Sequence, residues 1–571
     1  MPAVPRRLAT VFTLIATVVL ARSAPIILAR PQSDRISIEV DTAAKAGPMT
    51  PMWAWFGYDE PNYTYTANGK KLLSALAAAS PVPVFVRTHN LLTTGDGTPA
   101  LKWGSTNAYT EVDGRPRYDW TIVDRIFDTY LERRMKPFVQ LGFMPEALSS
   151  RPQPYRHFWK PGDNYNDIYT GWSYPPNDYA KWGELAYQLT RHLVQKYGRR
   201  EVESWWFEVW NEPDIPYWRG TPEEYMKLYD FAADGVKRAL PTARIGGPEV
   251  TGPNGARTQQ FLRDFLEHCL RGKNFATGKV GSPLDLITFH AKGAPQVQKD
   301  DGHVRMSVSN QLRAIDNGFR IVASFPELKH LPIVIGESDP EGCAACPMRT
   351  NPSNAYRNGT MFSSYTAEQL ARTYQLADLH QVNLLGAVTW AFLFEDQPYF
   401  DGFRDLATNG IDKPVLNVFR MLGQMRGQRV AVKNPAMLAV EEVRDRSVRG
   451  AADIGTLASR DPRSAAVLVW NYHDDDLPGA AAEIDLTISG LPASRATLTH
   501  YRIDGDHSNS YARWKAMGSP QPPAPPQIAE LERVGQLQTL SPPSPATISA
   551  GTARVSFTLP RQGVSLVIVR W

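Results

Sequence analysis

The chain has 571 residues, of which 43% are hydrophobic, and this length and composition can supply the cores of two or three domains. Its net charge of +4 is small for such a length, and no basic run is interleaved with aromatic residues, so the sequence argues against a nucleic-acid partner. Aromatic residues make up 11% and include 15 tryptophans, which can serve core packing or the stacking of sugar rings.

Residues 1–24 have the pattern of a secretory signal peptide. Arg6 and Arg7 precede an apolar run from Leu8 to Ala21, and small residues follow it. The run is shorter than the roughly 20 residues that span a bilayer. An uncleaved anchor from Leu8 to Ala29 is the alternative. We expect a secreted or periplasmic protein that has no membrane contact beyond this segment.

Residues 25–50 form an N-terminal segment with one predicted strand. Apolar and polar residues alternate from Arg35 to Val40, which is the period of a half-buried strand. This strand precedes the first domain, and we expect it to join the β-rich sheet near the C-terminus.

Residues 51–428 alternate short apolar runs with amphipathic helical patterns. One such pattern is Tyr118–Arg134, and another is Ala367–His380. Eight strands in this alternation predict a (β/α)8 TIM barrel with long loops. A doubly wound sheet is the alternative, but no glycine-rich nucleotide loop follows the first strand. The predicted strands are Met52–Phe56, Val82–Thr88, Lys136–Leu141, Trp206–Trp210, Ala243–Gly247, Leu284–Phe289, Leu331–Gly336 and Leu385–Trp390.

Residues 429–571 change to short β-rich runs that are separated by turns rich in Gly, Pro and Asp. This pattern predicts a C-terminal β-sandwich without a strong helix. The segment Ser519–Gln527 is proline-rich and is predicted to be an extended loop. The predicted strands are Ala465–Tyr472, Ala482–Ser489, Ala496–Ile503, Arg554–Leu559 and Val564–Val569.

The three cysteines are Cys269, Cys343 and Cys346. The Cys-x-x-Cys pair is open to three interpretations: a local disulfide, a redox pair or half of a metal site. No second Cys or His pair has zinc spacing, so we favour the disulfide and predict neither a metal nor a cofactor.

Two of the predicted barrel strands end in a glutamate. The fourth strand leads into Asn211-Glu212-Pro213, and the seventh ends at Gly336-Glu337. The C-terminal ends of the strands form the active-site face of such barrels. One glutamate alone would be an ordinary helix-cap or ion-pair residue, but two at opposite sides of the barrel mouth predict catalysis.

A pair of carboxylates is the set of groups that glycoside cleavage requires. One carboxylic acid protonates the leaving oxygen, and the other captures the oxocarbenium-like centre. A separation of about 5–5.5 Å gives a covalent intermediate and retention of configuration. We therefore predict Glu212 and Glu337 as the catalytic pair, in which an ionised Glu337 would help to keep Glu212 protonated; the resemblance described next implies Glu212 as the general acid/base and Glu337 as the nucleophile.

The chain resembles glycoside hydrolase family 39, which contains β-xylosidases and α-L-iduronidases. In that family an Asn-Glu-Pro after strand four carries the acid/base, and a Glu at the end of strand seven is the nucleophile. The resemblance covers roughly residues 50–430 and extends to His507-Ser508-Asn509. It rests, besides the two glutamate motifs, on Phe56–Tyr63 (FGYDEPNY), Arg87–Asn90 (RTHN), Leu141–Leu148 (LGFMPEAL) and Phe289–Ala294 (FHAKGA).

Four further residues are predicted to bind the sugar. The resemblance implies that His89, at the end of strand two, donates to sugar hydroxyls, although a structural role is equally open. Asn211 is expected to bind the 2-hydroxyl, a bond that strengthens in the transition state. His290, ending strand six, is expected to contact the nucleophile or the sugar. Trp390 ends strand eight and either floors the subsite or caps the barrel core.

Lys292 and Asp396 bear on which sugar is bound. The family's iduronidases place a Lys of a His-x-Lys-Gly stretch and an Asp after strand eight around the C5 substituent, and Lys292 and Asp396 are the matching candidates. Lys292 can bind a uronate carboxylate, or it can pair with Asp396 and leave room only for a pentose. Arg404 is a candidate for a further arginine of the iduronidase pocket.

Three functions are open at this point. The favoured one is an exo-acting, retaining β-xylosidase that cleaves xylo-oligosaccharides. The second is a uronic acid glycosidase of the α-L-iduronidase type or an endo-acting exopolysaccharide hydrolase. The third is a non-catalytic glycan-binding barrel, which the presence of both Glu212 and Glu337 disfavours.

Overall fold

Residues 35–343, 345–391 and 394–571 are described by a computed structural model of the protein. The predicted signal peptide lies outside these residues. The part from Arg35 to Trp571 folds as one unit. No helix in the described ranges has the length and apolar character needed to cross a membrane.

Strands and helices alternate up to about residue 425, after which strands dominate. The described strands are β1 (Ile36–Pro48), β2 (Trp55–Tyr58), β3 (Phe85–Thr88), β4 (Tyr109–Val112), β5 (Arg115–Tyr118), β6 (Lys136–Leu141), β7 (Trp206–Val209), β8 (Arg244–Val250), β9 (Leu286–Lys292), β10 (Gln296–Val297), β11 (Val304–Arg305), β12 (Pro332–Asp339), β13 (Asn383–Ala387), β14 (Thr389–Trp390), β15 (Ala407–Thr408), β16 (Ile411–Asp412), β17 (Gln428–Lys433), β18 (Asp453–Arg460), β19 (Ser464–Tyr472), β20 (Ala482–Ser489), β21 (Arg495–Ile503), β22 (Gln538–Thr547), β23 (Ala553–Leu559) and β24 (Val564–Arg570). The described α-helices are α1 (Ala67–Ala79), α2 (Thr121–Leu131), α3 (Tyr179–Tyr197), α4 (Arg199–Val202), α5 (Pro222–Ala239), α6 (Ala256–Arg271), α7 (Val308–Ala323), α8 (Thr360–His380), α9 (Leu416–Leu422), α10 (Val440–Arg446), α11 (Ser510–Ala516) and α12 (Pro525–Val534).

The first domain is a closed parallel barrel. Its strands follow one another in the order β2, β3, β6, β7, β8, β9 and β12, and the eighth strand consists of the two short pieces β13 and β14. Strand β13 pairs in parallel with β12, and β14 pairs in parallel with β2, which closes the ring. All eight predicted strands are present, so the TIM barrel is confirmed and the doubly wound alternative is wrong.

Helix α2 shows how the sequence pattern becomes packing. Val123, Ile126, Phe127 and Tyr130 recur at helical spacing, and all four side chains are buried in the core around the barrel. The amphipathic face therefore covers the barrel wall, as the periodicity predicts.

The second domain is one mixed sheet that folds back on itself. Its nine strands are hydrogen-bonded in the order β22, β21, β24, β19, β18, β17, β1, β20 and β23. Side chains from β20 and β23 share a hydrophobic core with side chains from β19 and β24. Two layers thus enclose the core, which confirms the β-sandwich.

Strand β1 lies inside this sheet, antiparallel to β17 and parallel to β20. Strand β19 joins the two domains, because its side chains are buried on both faces. Val467 and Val469 face the sandwich core, whereas Leu468 and Trp470 belong to the core that includes the barrel. The Trp470 indole N–H also donates to Glu368 of α8 at 2.5 Å.

The C-terminal region contains three short helices, where the sequence pattern predicted no strong helix. Helices α10, α11 and α12 interrupt the strands, and the proline-rich segment Ser519–Gln527, predicted to be an extended loop, is a loop only up to Ala524. Pro525 and Pro526 are the first residues of α12. Backbone N–H groups in the first turn of a helix have no acceptor within the helix, so the absence of an N–H in proline costs no hydrogen bond there, and its fixed φ suits the helix. Trp514 and Leu531 of α11 and α12 form a small core with Phe400 and Ile411 of the barrel.

Candidate active site

Charged and polar side chains gather at the carboxyl ends of the barrel strands. They are Arg87 and His89 at β3, Asn211 and Glu212 after β7, Glu249 on β8, His290 and Lys292 on β9, Glu337 and Asp339 on β12, and Trp390 on β14. Trp210 and Glu212 have positive φ angles of 72° and 47°. Non-glycine residues in this region are strained, and such strain clusters at functional sites.

Glu212 and Glu337 face each other across the barrel mouth. A carboxylate oxygen of each lies within 4.8 Å of the other and of a ring nitrogen of His290. This separation agrees with the about 5–5.5 Å between the two carboxyl groups of retaining glycosidases, and it leaves no room for the water of an inverting mechanism.

Glu337 is surrounded by cations. Its Oε2 lies 2.5 Å from Lys292 Nζ and 3.2 Å from Arg404, while its Oε1 lies 3.4 Å from Arg87. Burial raises the pKa of Glu337, but the charges of Lys292, His290 and Arg404 outweigh burial and hold the pKa well below its usual range. Glu337 is therefore ionised at neutral pH, which is the state that its predicted role requires.

His290 lies between three carboxylates. Its Nδ1 lies 2.9 Å from Glu212 Oε1 and 3.8 Å from Glu337 Oε1, and its Nε2 lies 3.0 Å from Glu249 Oε2. Burial lowers the pKa of His290, but these carboxylates raise it to about 9. His290 is therefore an imidazolium at neutral pH and donates to Glu212.

Arg87 connects the residues on one side of the site. It donates to Glu208 Oε1 at 2.5 Å and to Asn211 Oδ1 at 2.9 Å, and it lies 2.7 Å from His89 Nε2. The other nitrogen of His89 lies 2.8 Å from Asp59. Burial and the Arg87 charge lower the pKa of His89 to about 4, so the ring is neutral, and both of its nitrogens face polar atoms of the protein.

A cavity opens above the two glutamates. Its volume of about 300 Å³ is at the small end of the range for ligand sites. Lys102 contributes a buried ammonium group that lies 2.7 Å from Asp59 Oδ2 and 4.5 Å from the ring centre of Trp103. The residues that line the cavity are Asp59, His89, Lys102, Tyr165, Tyr169, Asn211, Glu212, Ile215, Tyr217, Lys292, Glu337, Gly342, Cys343 and Trp390.

The structure brings together every predicted site residue except Asp396. Trp390 lines the cavity, and the guanidinium of Arg404 lies 5.2 Å from its ring centre. Asp396 is exposed in the loop after β14 and is not among the described residues that line the cavity. Pairing with Asp396, one of the two alternatives for Lys292, is not found; Lys292 instead forms ion pairs with Glu337 and Asp339. These buried carboxylates on the neighbouring strand are closer to Lys292.

Arg404 and a disulfide shape the rim of the cavity. Cys343 and Cys346 form a disulfide, as favoured from the sequence. Arg404 donates at 2.7 Å to the carbonyl oxygens of Glu341 and Gly342 in the same loop, and at 2.8 Å to Asp339. Its side chain thus ties the loop after β12 to Glu337.

Sequence reasoning gave no role to several residues of the site. Arg87 and Asp59 lie inside motifs that were recognised, and an arginine within an apolar strand is a signal in its own right, because a buried charge needs partners. Lys102, Tyr165 and Tyr217 come from long loops without a local pattern. Glu249 follows a predicted strand but carries no spacing signal.

Glu212, His290 and Glu337 are also the described residues that could hold a metal ion. A metal at this place would have to displace the proton of His290, whose two nitrogens face carboxylates. That the site works without a metal stays a prediction.

Comparisons with known proteins show the family of the chain. The model of glycosyl hydrolases family 39 matches residues 36–548. The chain is 28% identical over 435 residues to a β-xylosidase of Caldicellulosiruptor saccharolyticus, covering 75% of this chain and 78% of that protein. It is 26% identical over 384 residues to human α-L-iduronidase, covering 62% and 54% of the two chains.

Among solved structures, a monomeric β-xylosidase from Caulobacter crescentus CB15 has the same fold. Its TM-score is 0.72 at 21% identity, with 94% of this chain and 99% of that chain covered. The molecule is thus a barrel glycosidase with an attached β-sandwich. The match of the family model over most of the chain makes it a member of glycoside hydrolase family 39.

Proposed function

We propose that the protein is an exo-acting, retaining β-xylosidase in which Glu337 is the nucleophile and Glu212 the general acid/base. The placement of two carboxylates within 4.8 Å carries the retaining part of this proposal. The different surroundings of the two groups support the roles, since Glu337 lies among three cations and Glu212 faces the open cavity beside His290.

Two displacements complete the reaction. A Glu337 oxygen attacks the anomeric carbon while the glycosidic bond breaks, and the Glu212 proton passes to the leaving oxygen. Water then gives a proton to Glu212 and attacks the same carbon, and the bond to Glu337 breaks. Glu337 and Glu212 return to their starting protonation states.

Asn211 is the residue that we expect to bind the sugar 2-hydroxyl. Arg87 occupies its Oδ1, whereas its Nδ2 is buried and has no hydrogen-bond partner among the described residues. An unpartnered buried donor beside the acid/base fits the sugar 2-hydroxyl, and losing such a bond costs about 1–3 kcal/mol.

The charges around the cavity favour a neutral sugar over a uronate. Lys102 and Lys292 are the cations that line it in the described part of the chain, and each is held by carboxylates of the protein. A uronate would have to compete with Asp59, Glu337 or Asp339 for them. The β-xylosidase relatives, at 26–28% identity, also support a β-xyloside.

A panel of aryl glycosides tests the sugar. We expect 4-nitrophenyl β-D-xyloside to be cleaved with a higher kcat/KM than the α-L-iduronide and the β-glucoside. Faster cleavage of the iduronide would replace the xylosidase with a uronic acid glycosidase. Cleavage of internal bonds in a polymer, without release of single sugars, would instead identify an endo-acting enzyme.

Rescue with azide distinguishes the roles of the two glutamates. With an activated aryl xyloside, Glu212→Ala should show a burst and then slow turnover, and azide should restore the rate and give a product of retained configuration. Glu337→Ala should lack the burst, and any azide product should be inverted. Exchange of the two stereochemical outcomes would reverse the assignment, and inversion by the wild-type enzyme would exclude the retaining mechanism.

A further inference from the structure

Glu249 of β8 is a buried carboxylate next to the site that the reaction as described does not use. Its side chain is fully buried, and its Oε2 lies 3.0 Å from the His290 nitrogen that points away from Glu212. The backbone carbonyl of Glu249 also accepts the amide N–H of Glu212 at 2.8 Å. One residue thus touches both the acid/base backbone and the histidine that holds the acid/base side chain.

The barrel makes room for this carboxylate at a glycine of the nucleophile strand. A Cβ on Gly336 would lie 1.9 Å from Glu249 Oε2 and 2.5 Å from its Cδ, far closer than two non-bonded atoms can come. Gly336 has no positive φ that would otherwise require glycine. Gly336 and Glu249 therefore fit together as a pair.

The charge of Glu249 is fixed by its other neighbours. Arg87 Nε lies 2.5 Å from Glu208 Oε1 and 3.6 Å from Glu249 Oε1. Burial raises the pKa of both carboxyl groups; for Glu208 it stays well above the usual range, whereas Arg87, the proton on Glu208 and His290 lower the pKa of Glu249 to about 2. Glu249 thus faces His290 as a carboxylate, while Glu212 and Glu337 face it from the cavity side.

We propose that Glu249 is a positioning residue for catalysis, which acts through His290 to hold the Glu212 side chain and to keep a proton on the histidine. The arrangement is an imidazolium between two carboxylates, one on each ring nitrogen, and the logic is that of an acid that orients a histidine from behind. The attack on the anomeric carbon removes the charge of Glu337, and Glu249 then remains as a fixed anion beside His290. This inference rests on the proposed role of Glu212.

The leaving group separates a positioning role from a structural one. Glu249→Gln keeps the shape of the side chain but loses its charge. For the aryl glycoside that the wild type cleaves best, kcat/KM with a poor phenol leaving group should fall about 10–100-fold, part of the 10²–10⁴ that general acid catalysis supplies. With 2,4-dinitrophenol, which leaves unaided, the loss should stay below about threefold.

Asp230→Asn is the matched control. Asp230 is also a buried carboxylate beside a histidine, 3.0 Å from His268. Asp230 lies on α5 and His268 on α6, which are helices outside the barrel strands. This variant should lower thermal stability without changing the dependence on the leaving group. Equal losses for both leaving groups in Glu249→Gln would overturn the proposal.

Nuclear magnetic resonance of ¹⁵N-labelled histidine gives a second readout that does not depend on turnover. The His290 ring should stay protonated up to about pH 9 in the wild type, because three carboxylates face it, and should titrate at a lower pH in Glu249→Gln. The His290 signal is assigned by its loss in His290→Asn. An unchanged His290 titration would contradict the proposal. A wild type that cleaves no glycoside would refute the proposed function instead, while leaving this titration interpretable.

A double-mutant cycle keeps the test open if Glu249→Gln fails to fold. Gly336→Ala alone should destabilise the protein strongly, because its methyl group collides with the Glu249 carboxylate. In the double variant Glu249→Ala/Gly336→Ala the methyl fills the vacated space, so stability should recover relative to Gly336→Ala. The double variant should keep the selective loss with poor leaving groups. Additive destabilisation, or no selectivity for the leaving group, would overturn the proposal.

Discussion

Lys292→Met should move the acid limb of the pH–rate profile to higher pH. Lys292 Nζ lies 2.5 Å from Glu337 Oε2, and the charge of Lys292 is the largest of the effects that lower the Glu337 pKa. Glu337 must be ionised to attack, so activity is lost as the pH falls through its pKa. Removal of the ammonium raises that pKa, and activity is then lost at a higher pH.

The size of the shift in the acid limb depends on the charges that stay near Glu337 after Lys292 is replaced. Breaking a fully buried ion pair costs about 3–5 kcal/mol. Lys292 is 18% exposed, and Arg404 stays 3.2 Å from Glu337, so about 1.5–3 kcal/mol is the expected loss, as for a charged hydrogen bond. At about 1.4 kcal/mol for each pKa unit, the acid limb should move by about 1–2 pH units.

The assay is kcat/KM for an aryl xyloside from pH 3 to pH 9, with thermal melting at each pH. Lys237→Met is the control, because Lys237 is similarly exposed and pairs with Asp285 at 2.8 Å on the outside of the barrel. Lys237→Met should lower the melting temperature and leave the pH–rate profile unchanged. An acid limb that does not move in Lys292→Met would refute the claim that Lys292 sets the charge of Glu337.

Four further predictions follow from the fold and the site. Asp396→Asn should change kcat/KM less than about twofold, since Asp396 is exposed outside the cavity, and a loss greater than tenfold would return it to the site. Truncation after residue 430 should give insoluble protein in expression trials, because it leaves β1 without β20 and uncovers α8; a soluble, active barrel would contradict this. EDTA should leave the initial rate unchanged, and a loss that a divalent ion restores would show a metal requirement. N-terminal sequencing of the mature protein should find a start near residue 25, and an intact Met1 would refute cleavage.

The barrel could be predicted because its strands follow local rules. Each strand is a short apolar run between amphipathic helices, and α2 buries the face that its periodicity marks. The two glutamates could be predicted for the same reason, since each comes directly after such a run. The C-terminal helices were missed because α11 and α12 are short and gain their stability from Phe400 and Ile411, which are distant in the sequence.

The rest of the site depends on contacts that no local pattern records. Lys102 reaches the cavity from a long loop, and Glu249 matters only because Gly336 on another strand leaves space for it. The sequence analysis left the partner of Lys292 open between a uronate carboxylate and Asp396, and it did not consider Asp339. Only the pairing of β9 with β12 brings Asp339 opposite Lys292.

The position of β1 has a consequence for how the chain folds as it is made. Ser489 of β20 donates to the carbonyl of Val40 across 449 residues of sequence. At synthesis rates of about 5–20 residues per second, β1 waits about 20–90 s after it emerges before this partner exists. Its other partner, β17, is made only shortly before β20, so for most of that time β1 is an unpaired strand, the kind of edge that other chains can join. Glu39, Asp41 and Lys45 place charges along β1, and such charges discourage pairing between copies until β17 and β20 arrive.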